Sequence, residues 1–477
     1  MRPGPRPPHR RRSGARLATL GACVAVTVAL LGACTPAPDT GASGDGTALE
    51  GTSGDTGATR PTPAGWDACR GGLECTTLEV PADWNDPDGP TISLAVARRP
   101  ASSGAPRGVI LANPGGPGGS GVDWLAGAGD LAGLGVDFDV VSWDPRGVGA
   151  STQIDCGGLG GPAGTDIHRL PTTGPAADDT AAAVAEFADA CAAGSPALVD
   201  HLGTDQGVAD MEAIRVATGA DRLDLVGFSY GTYLALAYAR AYPEGVRTIV
   251  LDAPVDPADR LEDLLVAQAT AMEAWLDDVL ADDPTRWDRA AARTDPTTLA
   301  FAAIAASYDP ASPGPLPAAL ASAAEGDDAA VRTLADAYFD AASFTAYIGT
   351  LCADLDRPAT AAEQAAMARR LAAIAPRLGA AIAGEVAACV AWPVASGRRW
   401  TPSVPPGVPV LVIAGTGDLA TPLALAESVD AALGTSTLVV RQGDGHVSLR
   451  RSPCVADLVE RLLADGTLPP DPTTCPT

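Results

Sequence analysis

The chain has 477 residues, of which 46% are hydrophobic, so it is long enough for one large domain with an insertion or for two domains, and wholesale disorder is excluded. The formal charge is −26, and removal of residues 1–33, which carry six arginines and no acidic side chain, would make it −32. Such a surface argues against nucleic acid and anionic lipid headgroups as partners and is typical of a soluble protein.

The N-terminal segment predicts export. An arginine-rich stretch over 2–16 precedes an apolar run over 17–33, which is too short and too close to the N-terminus for a membrane span. The run ends in Leu-Gly-Ala followed by Cys34, a tetrapeptide that resembles the lipobox of bacterial lipoproteins. By that resemblance a signal peptide over 1–33 is removed and Cys34 is lipidated, with ordinary secretion after nearby cleavage as the alternative. Residues 34–64, rich in Gly, Thr, Ser, Pro and Asp, then form a flexible tether.

The first half of the folded region alternates strands with helices. The predicted strands, apolar or β-branched and bounded by Gly or Pro, are 92–98, 108–112, 138–143, 223–228 and 248–251. The predicted helices are 180–193, 205–218 and 231–242. This alternation predicts an α/β protein whose mostly parallel sheet is covered by helices on both faces.

The alternation stops near residue 257. Residues 258–400 contain no convincing buried strand, and apolar side chains recur there at helical spacing. The later part of this block predicts alanine-rich helices at 315–323, 328–340 and 360–389. The α/β alternation then resumes, with predicted strands and helices at 408–414, 423–432, 437–440 and 455–464. We therefore divide the chain into a core over 65–257, a helical cap over 258–400 that covers the strand ends, and a second core part over 401–477.

The cysteine count supports export. One of the ten cysteines lies in the predicted signal and Cys34 lies in the lipobox, which leaves Cys69, Cys75, Cys156, Cys191, Cys352, Cys389, Cys454 and Cys475. An even number in an exported chain indicates disulfides, and although eight cysteines allow about a hundred connectivities, we take sequential pairing as the working hypothesis. No C-x-x-C occurs, so we expect no metal and no other cofactor.

A candidate nucleophile lies in Gly-Phe-Ser229-Tyr-Gly, which follows one predicted strand and opens a predicted helix. A G-x-S-x-G pentapeptide in this position is the nucleophile elbow of the α/β-hydrolase fold, where a sharp turn holds the serine out at the top of the sheet. In that fold the acid and then the histidine follow the serine in the chain. Of the four histidines only His446 follows Ser229. Asp418, just after a predicted strand, is the expected acid. Asp444 is the less favoured alternative, because it lies in the same loop as His446 (the histidine loop, 443–449).

An oxyanion hole needs backbone donors from two places. One is the residue after the nucleophile, Tyr230. The other is expected from the glycine-rich loop 113–121, with Gly116 as the preferred donor and Gly115 as the alternative. This loop lacks the G-x-G-x-x-G framing and the lysine of nucleotide-binding loops. On the next strand end, Asp144 and Arg146 are expected to pair and to brace the neighbouring loops.

Taken together, these motifs resemble those of the secreted actinobacterial tripeptidyl aminopeptidases, in the prolyl iminopeptidase-like branch of the α/β-hydrolases. The matching stretches are NPGGPGGSG (113–121), WDPRGVGAS (143–151), GFSYGTYLALAYA (227–239), LDAPVDP (251–257) and GTGDLATP (415–422). The resemblance implies an α/β-hydrolase fold and hydrolysis of peptides from a free N-terminus, with Ser229, Asp418 and His446 as the catalytic triad. It also shows one departure, because LDAP stands at 251–254 where the family has LDG.

An enzyme of this kind must recognise the α-ammonium group of its substrate, and a carboxylate near the cap is the physical requirement. Asp354, beside Cys352, is the candidate. The predicted protein is thus an exported, lipid-anchored or secreted serine aminopeptidase of the cell envelope. We expect it to be a monomer that touches the membrane only through its anchor. A carboxylesterase or lipase with the same triad is the main alternative, and a non-catalytic binding protein on the same scaffold is a weaker one.

Overall fold

The computed structural model describes residues 65–128, 131, 133–158, 177–310, 314–338 and 341–477. The predicted signal peptide, the lipidation site Cys34 and the tether lie outside the described residues. None of the described helices combines the length and the apolarity that crossing a membrane requires.

A ten-stranded sheet forms the centre of the fold, in the order β1-β2-β3-β5-β4-β6-β7-β8-β9-β10. The strands β1 to β3 pair antiparallel with one another, β3 pairs antiparallel with β5, and all other neighbours are parallel. The strands are β1 Asp67–Ala68, β2 Glu74–Pro81, β3 Thr91–Arg99, β4 Val109–Asn113, β5 Asp139–Trp143, β6 Leu223–Phe228, β7 Val246–Asp252, β8 Val410–Gly417, β9 Thr437–Asp444 and β10 Thr473–Cys475.

Helices cover both faces of this sheet. The alternation of side chains along β8 shows why: Val410 and Val412 pack into one apolar core, and Leu411 and Ile413 pack into another on the opposite face. The core helices are α1 Gly121–Gly127, α2 Ala177–Gly194, α3 Thr204–Thr218, α4 Tyr230–Ala241, α13 Leu423–Leu433 and α14 Pro453–Asp465. The predicted α/β class with a mostly parallel sheet is therefore confirmed.

In the described part of the block between β7 and β8 there are eight helices. They are α5 Leu261–Val279, α6 Arg286–Ala291, α7 Pro296–Ser307, α8 Leu316–Ala324, α9 Ala329–Asp336, α10 Ala341–Asp354, α11 Ala361–Ile374 and α12 Gly379–Glu385. The region predicted as helical over 360–389 is interrupted, since Pro376 separates α11 from α12. The described part of this block contains no strand, as its sequence predicts.

Three strands were not predicted, and one of them, β1, has only two residues. In β2 the buried Leu78 and Val80 alternate with the exposed Thr77 and Glu79, but the strand has few apolar residues and ends in proline. The strand β10 has three residues and lies at the sheet edge, so its sequence carries no periodic pattern.

Four disulfides link the eight cysteines of the described residues, and each joins cysteines that are consecutive in that set. Cys69–Cys75 links the end of β1 to β2, and Cys454–Cys475 links α14 to β10. The other two pairs are Cys156–Cys191, which reaches α2, and Cys352–Cys389, which joins α10 to the turn that follows α12.

Candidate active site

Ser229 occupies a sharp turn between β6 and α4. Its backbone has φ 53° and ψ −125°, a conformation that non-glycine residues rarely adopt. The flanking glycines make the turn possible, because a Cβ on Gly227 would lie 2.4 Å from the carbonyl oxygen of Gly231, and one on Gly231 would lie 2.3 Å from that of Asn113. The G-x-S-x-G pattern is therefore required by close backbone packing, and the turn presents Ser229 at the carboxyl end of the sheet.

His446 and Asp418 lie at the same edge of the sheet. Asp418 directly follows β8, and His446 lies in the loop after β9. The Nδ1 atom of His446 is 2.9 Å from Oδ2 and 3.0 Å from Oδ1 of Asp418. The buried carboxylate also accepts hydrogen bonds from the backbone N–H groups of Ala420 and Thr421, each at 3.0 Å. The alternative acid, Asp444, has an exposed side chain.

A cavity of about 340 Å³ lies between the core and the cap, and Ser229 lines it. Gly116 and Tyr230, the candidate oxyanion donors, also line it. The cap side of the wall is mostly apolar and includes Leu261, Leu264, Leu265, Met272, Ile304, Leu351, Leu355 and Ile382. The side chain of Gln268 on α5 donates to the carbonyl of Ala420 at 2.7 Å, which fastens the cap beside Asp418.

The glycine-rich loop packs directly against the nucleophile turn. A Cβ on Gly115 would lie 2.4 Å from the carbonyl oxygen of Phe228 and 2.9 Å from the backbone nitrogen of Tyr230. The N–H of Gly115 is engaged by the side chain of Asn113, whose Oδ1 accepts it at 2.9 Å. Gly116 is therefore the better placed of the two loop donors, since it faces the cavity and Gly115 is held against the turn.

Two protein families match the chain. One is described as alpha/beta hydrolase fold and covers residues 108–305, and the other is described as TAP-like protein and covers residues 375–475. Serine protease Hip1 of Mycobacterium tuberculosis is 30% identical over an alignment of 491 positions, which covers 87% of this chain and 91% of that protein. The chain belongs to the α/β-hydrolase family.

Two other relatives have names that indicate different activities. Tripeptidyl aminopeptidase of Streptomyces lividans is 29% identical over 457 residues, covering 84% of this chain and 83% of that protein. Carboxylesterase B of Mycobacterium tuberculosis is 30% identical over 472 residues, covering 86% and 89%. The resemblance to tripeptidyl aminopeptidases and the expected enzyme class, a serine hydrolase, are confirmed.

Asp354 does not line the cavity. The structure therefore does not support the expected role of Asp354 in binding the substrate amine. The Asp354 carboxylate accepts from the backbone N–H of Thr204 at 2.7 Å, from its hydroxyl at 2.8 Å, and from the phenol of Tyr230. Burial raises its pKa to about 6. The Asp354 side chain thus links the N-termini of α3 and α4 behind Ser229. Its place near Cys352 in the sequence did not indicate which way the side chain points.

A different cap carboxylate lines the cavity. Glu385, the last residue of α12, is 5% exposed, and its Oε1 accepts from the phenol of Tyr347 at 2.5 Å. The phenol of Tyr338 donates to its Oε2 at 3.3 Å. Burial raises the pKa of Glu385 to about 7, although the two phenols act to lower it. No described arginine or histidine pairs with it, and the sequence contains no lysine.

Sequence reasoning missed Glu385, although a signal existed. In a chain with 58 acidic residues, Glu385 is the only one between positions 364 and 417, and it stands among alanines and other small apolar residues. A lone acid in an apolar helix is costly to bury without a function. Among the described residues, no group of His, Cys, Asp or Glu is placed to hold a metal ion.

Arg146 also has a partner other than the expected one. Its guanidinium forms a two-point ion pair with the buried Asp210 of α3, at 2.6 and 2.7 Å. Asp144 instead accepts from the Ser120 hydroxyl at 2.6 Å and from the N–H of Val122 at 3.0 Å. The motif therefore braces two separate loops.

Proposed function

We propose that the protein is an exported serine aminopeptidase that cleaves peptides from a free N-terminus through an acyl-enzyme on Ser229. The Ser229 hydroxyl attacks the scissile carbonyl and its proton passes to His446, while Asp418 holds the imidazole and stabilises the imidazolium. The N–H groups of Gly116 and Tyr230 stabilise the oxyanion. The C–N bond breaks as His446 protonates the leaving amine, and water activated by His446 then releases the N-terminal fragment and restores the serine proton.

The observation that carries this proposal is the buried carboxylate of Glu385, which has no cationic partner among the described residues. A buried carboxylate without a cation is unfavourable, and a bound ammonium group would compensate it. The ammonium of a free N-terminus, held at Glu385, would fix the acyl part of a peptide in the cavity that Ser229 lines. The acyl chain of a simple ester brings no charge and leaves Glu385 uncompensated.

The test compares three substrates on the wild type and on Glu385→Gln: a free-amine tripeptide anilide, its N-acetylated form, and a short acyl ester. We expect the wild type to prefer the free amine, and Glu385→Gln to lose about 100-fold in kcat/KM on that substrate, because an ammonium would lose a buried charged partner. The rates on the two uncharged substrates should change little. Equal wild-type rates on the free and acetylated peptides would contradict the proposal.

Glu273→Gln is the matched control for that experiment. Glu273 is also a buried cap glutamate, but its carboxylate is paired with Arg377 at 2.6 Å, and it does not line the cavity. We expect this variant to lower the melting temperature without altering the ratio of rates on the free and acetylated peptides.

A carboxylesterase or lipase is the second candidate, favoured by the apolar cap side of the cavity and by the name of one relative. It uses the same serine, acid and histidine. Faster turnover of the acyl ester than of the free-amine anilide, unchanged in Glu385→Gln, would favour this function.

Export and lipidation of Cys34 complete the proposal. Four disulfides support folding outside the cytoplasm, because cytosolic proteins keep their thiols reduced. Mass spectrometry of the protein from its native host should find the mature chain starting at a diacylated Cys34. In Cys34→Ser we expect the protein to lose its lipid, and an unmodified Cys34 in the wild type would leave ordinary secretion as the explanation.

A further inference from the structure

Asp252, the last residue of β7, connects the nucleophile turn to the histidine loop. Its side chain is fully buried. Its backbone carbonyl accepts the N–H of Ser229 at 3.0 Å. Its carboxylate accepts the N–H of Ser448 at 2.8 and 3.0 Å and the N–H of Leu449 at 2.8 Å. One residue thus bonds both to the nucleophile and to the segment that follows His446.

The histidine loop needs such support, because its own backbone is strained. Val447, directly after His446, has φ 58°, which is unfavourable for a β-branched residue. On its other side the loop is held by Arg441, whose guanidinium donates to the Ser448 hydroxyl at 3.0 Å and to the carbonyl of Gly445 at 2.9 Å. Asp252 and Arg441 together hold the backbone on both sides of His446.

We propose that Asp252 is a positioning residue that keeps Ser229 and His446 in register for proton transfer, an inference that rests on the proposed roles of these two residues. A carboxylate suits this position because both of its oxygens accept hydrogen bonds and neither donates. An asparagine would present an amide N–H₂ group to backbone N–H groups that need acceptors. A displacement of about 1 Å between nucleophile and base is enough to cost roughly 100-fold in rate.

The charge of Asp252 acts in the same direction. The charged groups around it are His446, Asp418 and Arg441. Burial raises the pKa of Asp252 to about 6, against the lowering effect of the two backbone N–H groups and of His446. A nearby negative charge stabilises the imidazolium that forms as His446 accepts the serine proton, so loss of this carboxylate should slow proton transfer.

The experiment measures the rate at which a fluorophosphonate labels Ser229, since that rate reports on the serine and its base whatever the natural substrate is. We expect Asp252→Asn to label about 10- to 100-fold more slowly per correctly folded molecule. With the best of the three test substrates, kcat should fall and KM should stay within about twofold.

Asp224→Asn is the matched control. Asp224 is another buried carboxylate of the sheet, at the opposite end of β6, where it pairs with Arg247 and accepts from Thr248 at 2.6 Å. This variant should lose thermal stability while keeping the wild-type labelling rate. An Asp252→Asn protein that behaves in the same way would overturn the proposal.

A second variant covers the case in which Asp252→Asn does not fold. Ser448→Ala keeps the bonds of the Asp252 carboxylate to the backbone N–H groups and removes only the hydroxyl that accepts from Arg441. Because Asp252 still supports the loop, the labelling rate should fall by less than about threefold. A fall of about tenfold or more would assign the support to the Arg441 contact and contradict the inference. Absence of labelling in the wild type would instead count against the proposed function.

Discussion

Ser229 is held in a strained backbone conformation that only its setting between two packed glycines allows. We predict that Ser229→Ala lowers kcat/KM by at least about 10⁴-fold and abolishes fluorophosphonate labelling, since no other hydroxyl shares this position. Ser428→Ala, which removes a hydroxyl that bonds to Asp256, should keep full activity. Substantial turnover by Ser229→Ala would mean that another residue carries the acyl group.

Ala253 stands in LDAP at the position of the glycine in the LDG of the resembled family, and its backbone conformation is one that favours glycine. It is fully buried and has φ 62°, in the left-handed region that favours glycine. Ala253→Gly should change the free energy of unfolding by less than about 1 kcal/mol, because relief of about 1–2 kcal/mol of strain is offset by a lost buried methyl group and a more flexible unfolded chain.

Urea unfolding measures this effect, and Ala253→Val is the comparison. A β-branched side chain cannot relax in the left-handed region and has no space there, so we expect it to destabilise by more than about 2 kcal/mol. Equal stability of the glycine and valine variants would show that backbone strain at this position has no energetic weight.

At the level of single residues, the sequence identified those whose position follows from chain order. Ser229 follows a strand in a glycine pentapeptide, Asp418 ends another strand, and scarcity of histidine left only His446. Chain order could not decide whether Glu385 or Asp354 lines the cavity. Both end cap helices, and which of them faces the cavity depends on how helices pack, which no local pattern encodes.

Among the elements, the segment after α7 is the point where the cap contacts His446. The carbonyl of Tyr308 accepts the N–H of His446 at 3.3 Å, and the two rings pack edge to face with centroids 5.6 Å apart. Next to it, Asp309 pairs with Arg451 at 3.0 Å. The Tyr308 phenol hydrogen-bonds to Tyr338, which in turn donates to Glu385. The proposed amine site is therefore connected to His446 through the cap.

We predict that Tyr308→Ala lowers kcat/KM for the free-amine tripeptide anilide by about tenfold, because removal of the ring leaves the imidazole unsupported on one face and interrupts the contact with the amine site. Tyr308→Phe should retain most of the activity, since it keeps the ring. Steady-state kinetics on both variants measures the difference.

Asp309→Asn is the control for the same segment. Its ion pair with Arg451 is largely exposed, and exposed pairs contribute little. Activity and stability should stay close to the wild type. If Asp309→Asn were as impaired as Tyr308→Ala, the ion pair rather than the aromatic contact would hold the cap in place.

The elements that the sequence predicted well are those with strong periodicity. The central strands β4 to β9 are short and apolar, and the helices between them have clear ends. The strand β2 was missed because it has few apolar residues and ends in proline. The helix α10 was missed because its aromatic and β-branched residues and its glycine have low helix propensity. In the cap, tertiary packing decides where one alanine-rich helix ends and the next begins.

For the whole molecule, buried carboxyl groups set the pH dependence of stability. Burial raises the pKa of Asp252 and of Asp354 to about 6, and that of Glu385 to about 7. Between about pH 4 and 7 the native protein therefore holds protons that the unfolded chain has released, so the free energy of unfolding falls as pH rises. We predict a melting temperature roughly 5 °C higher at pH 5 than at pH 8, measured by calorimetry.

Measurements in high salt and on one variant distinguish the buried carboxyl groups from surface repulsion as causes of the pH dependence of stability. The high negative charge of the chain acts in the same direction through repulsion at the surface, and 0.5 M NaCl screens that repulsion but not the buried groups. Glu385→Gln should flatten the decline between pH 6 and 8. A melting temperature that rises from pH 5 to pH 8 would contradict the assignment.

The two outermost strands of the sheet are both very short, which limits how the protein can associate with other chains. The strand β1 has two residues and β10 has three, and each is covalently tied at its end, by Cys69–Cys75 and by Cys454–Cys475. Long, free edge strands recruit strands from other chains and seed aggregates. Both edge strands are too short to pair stably with a strand from another chain. The disulfides hold them in place, so that β2 and β9 stay covered. The disulfides at the margins thus protect against self-association as much as against unfolding.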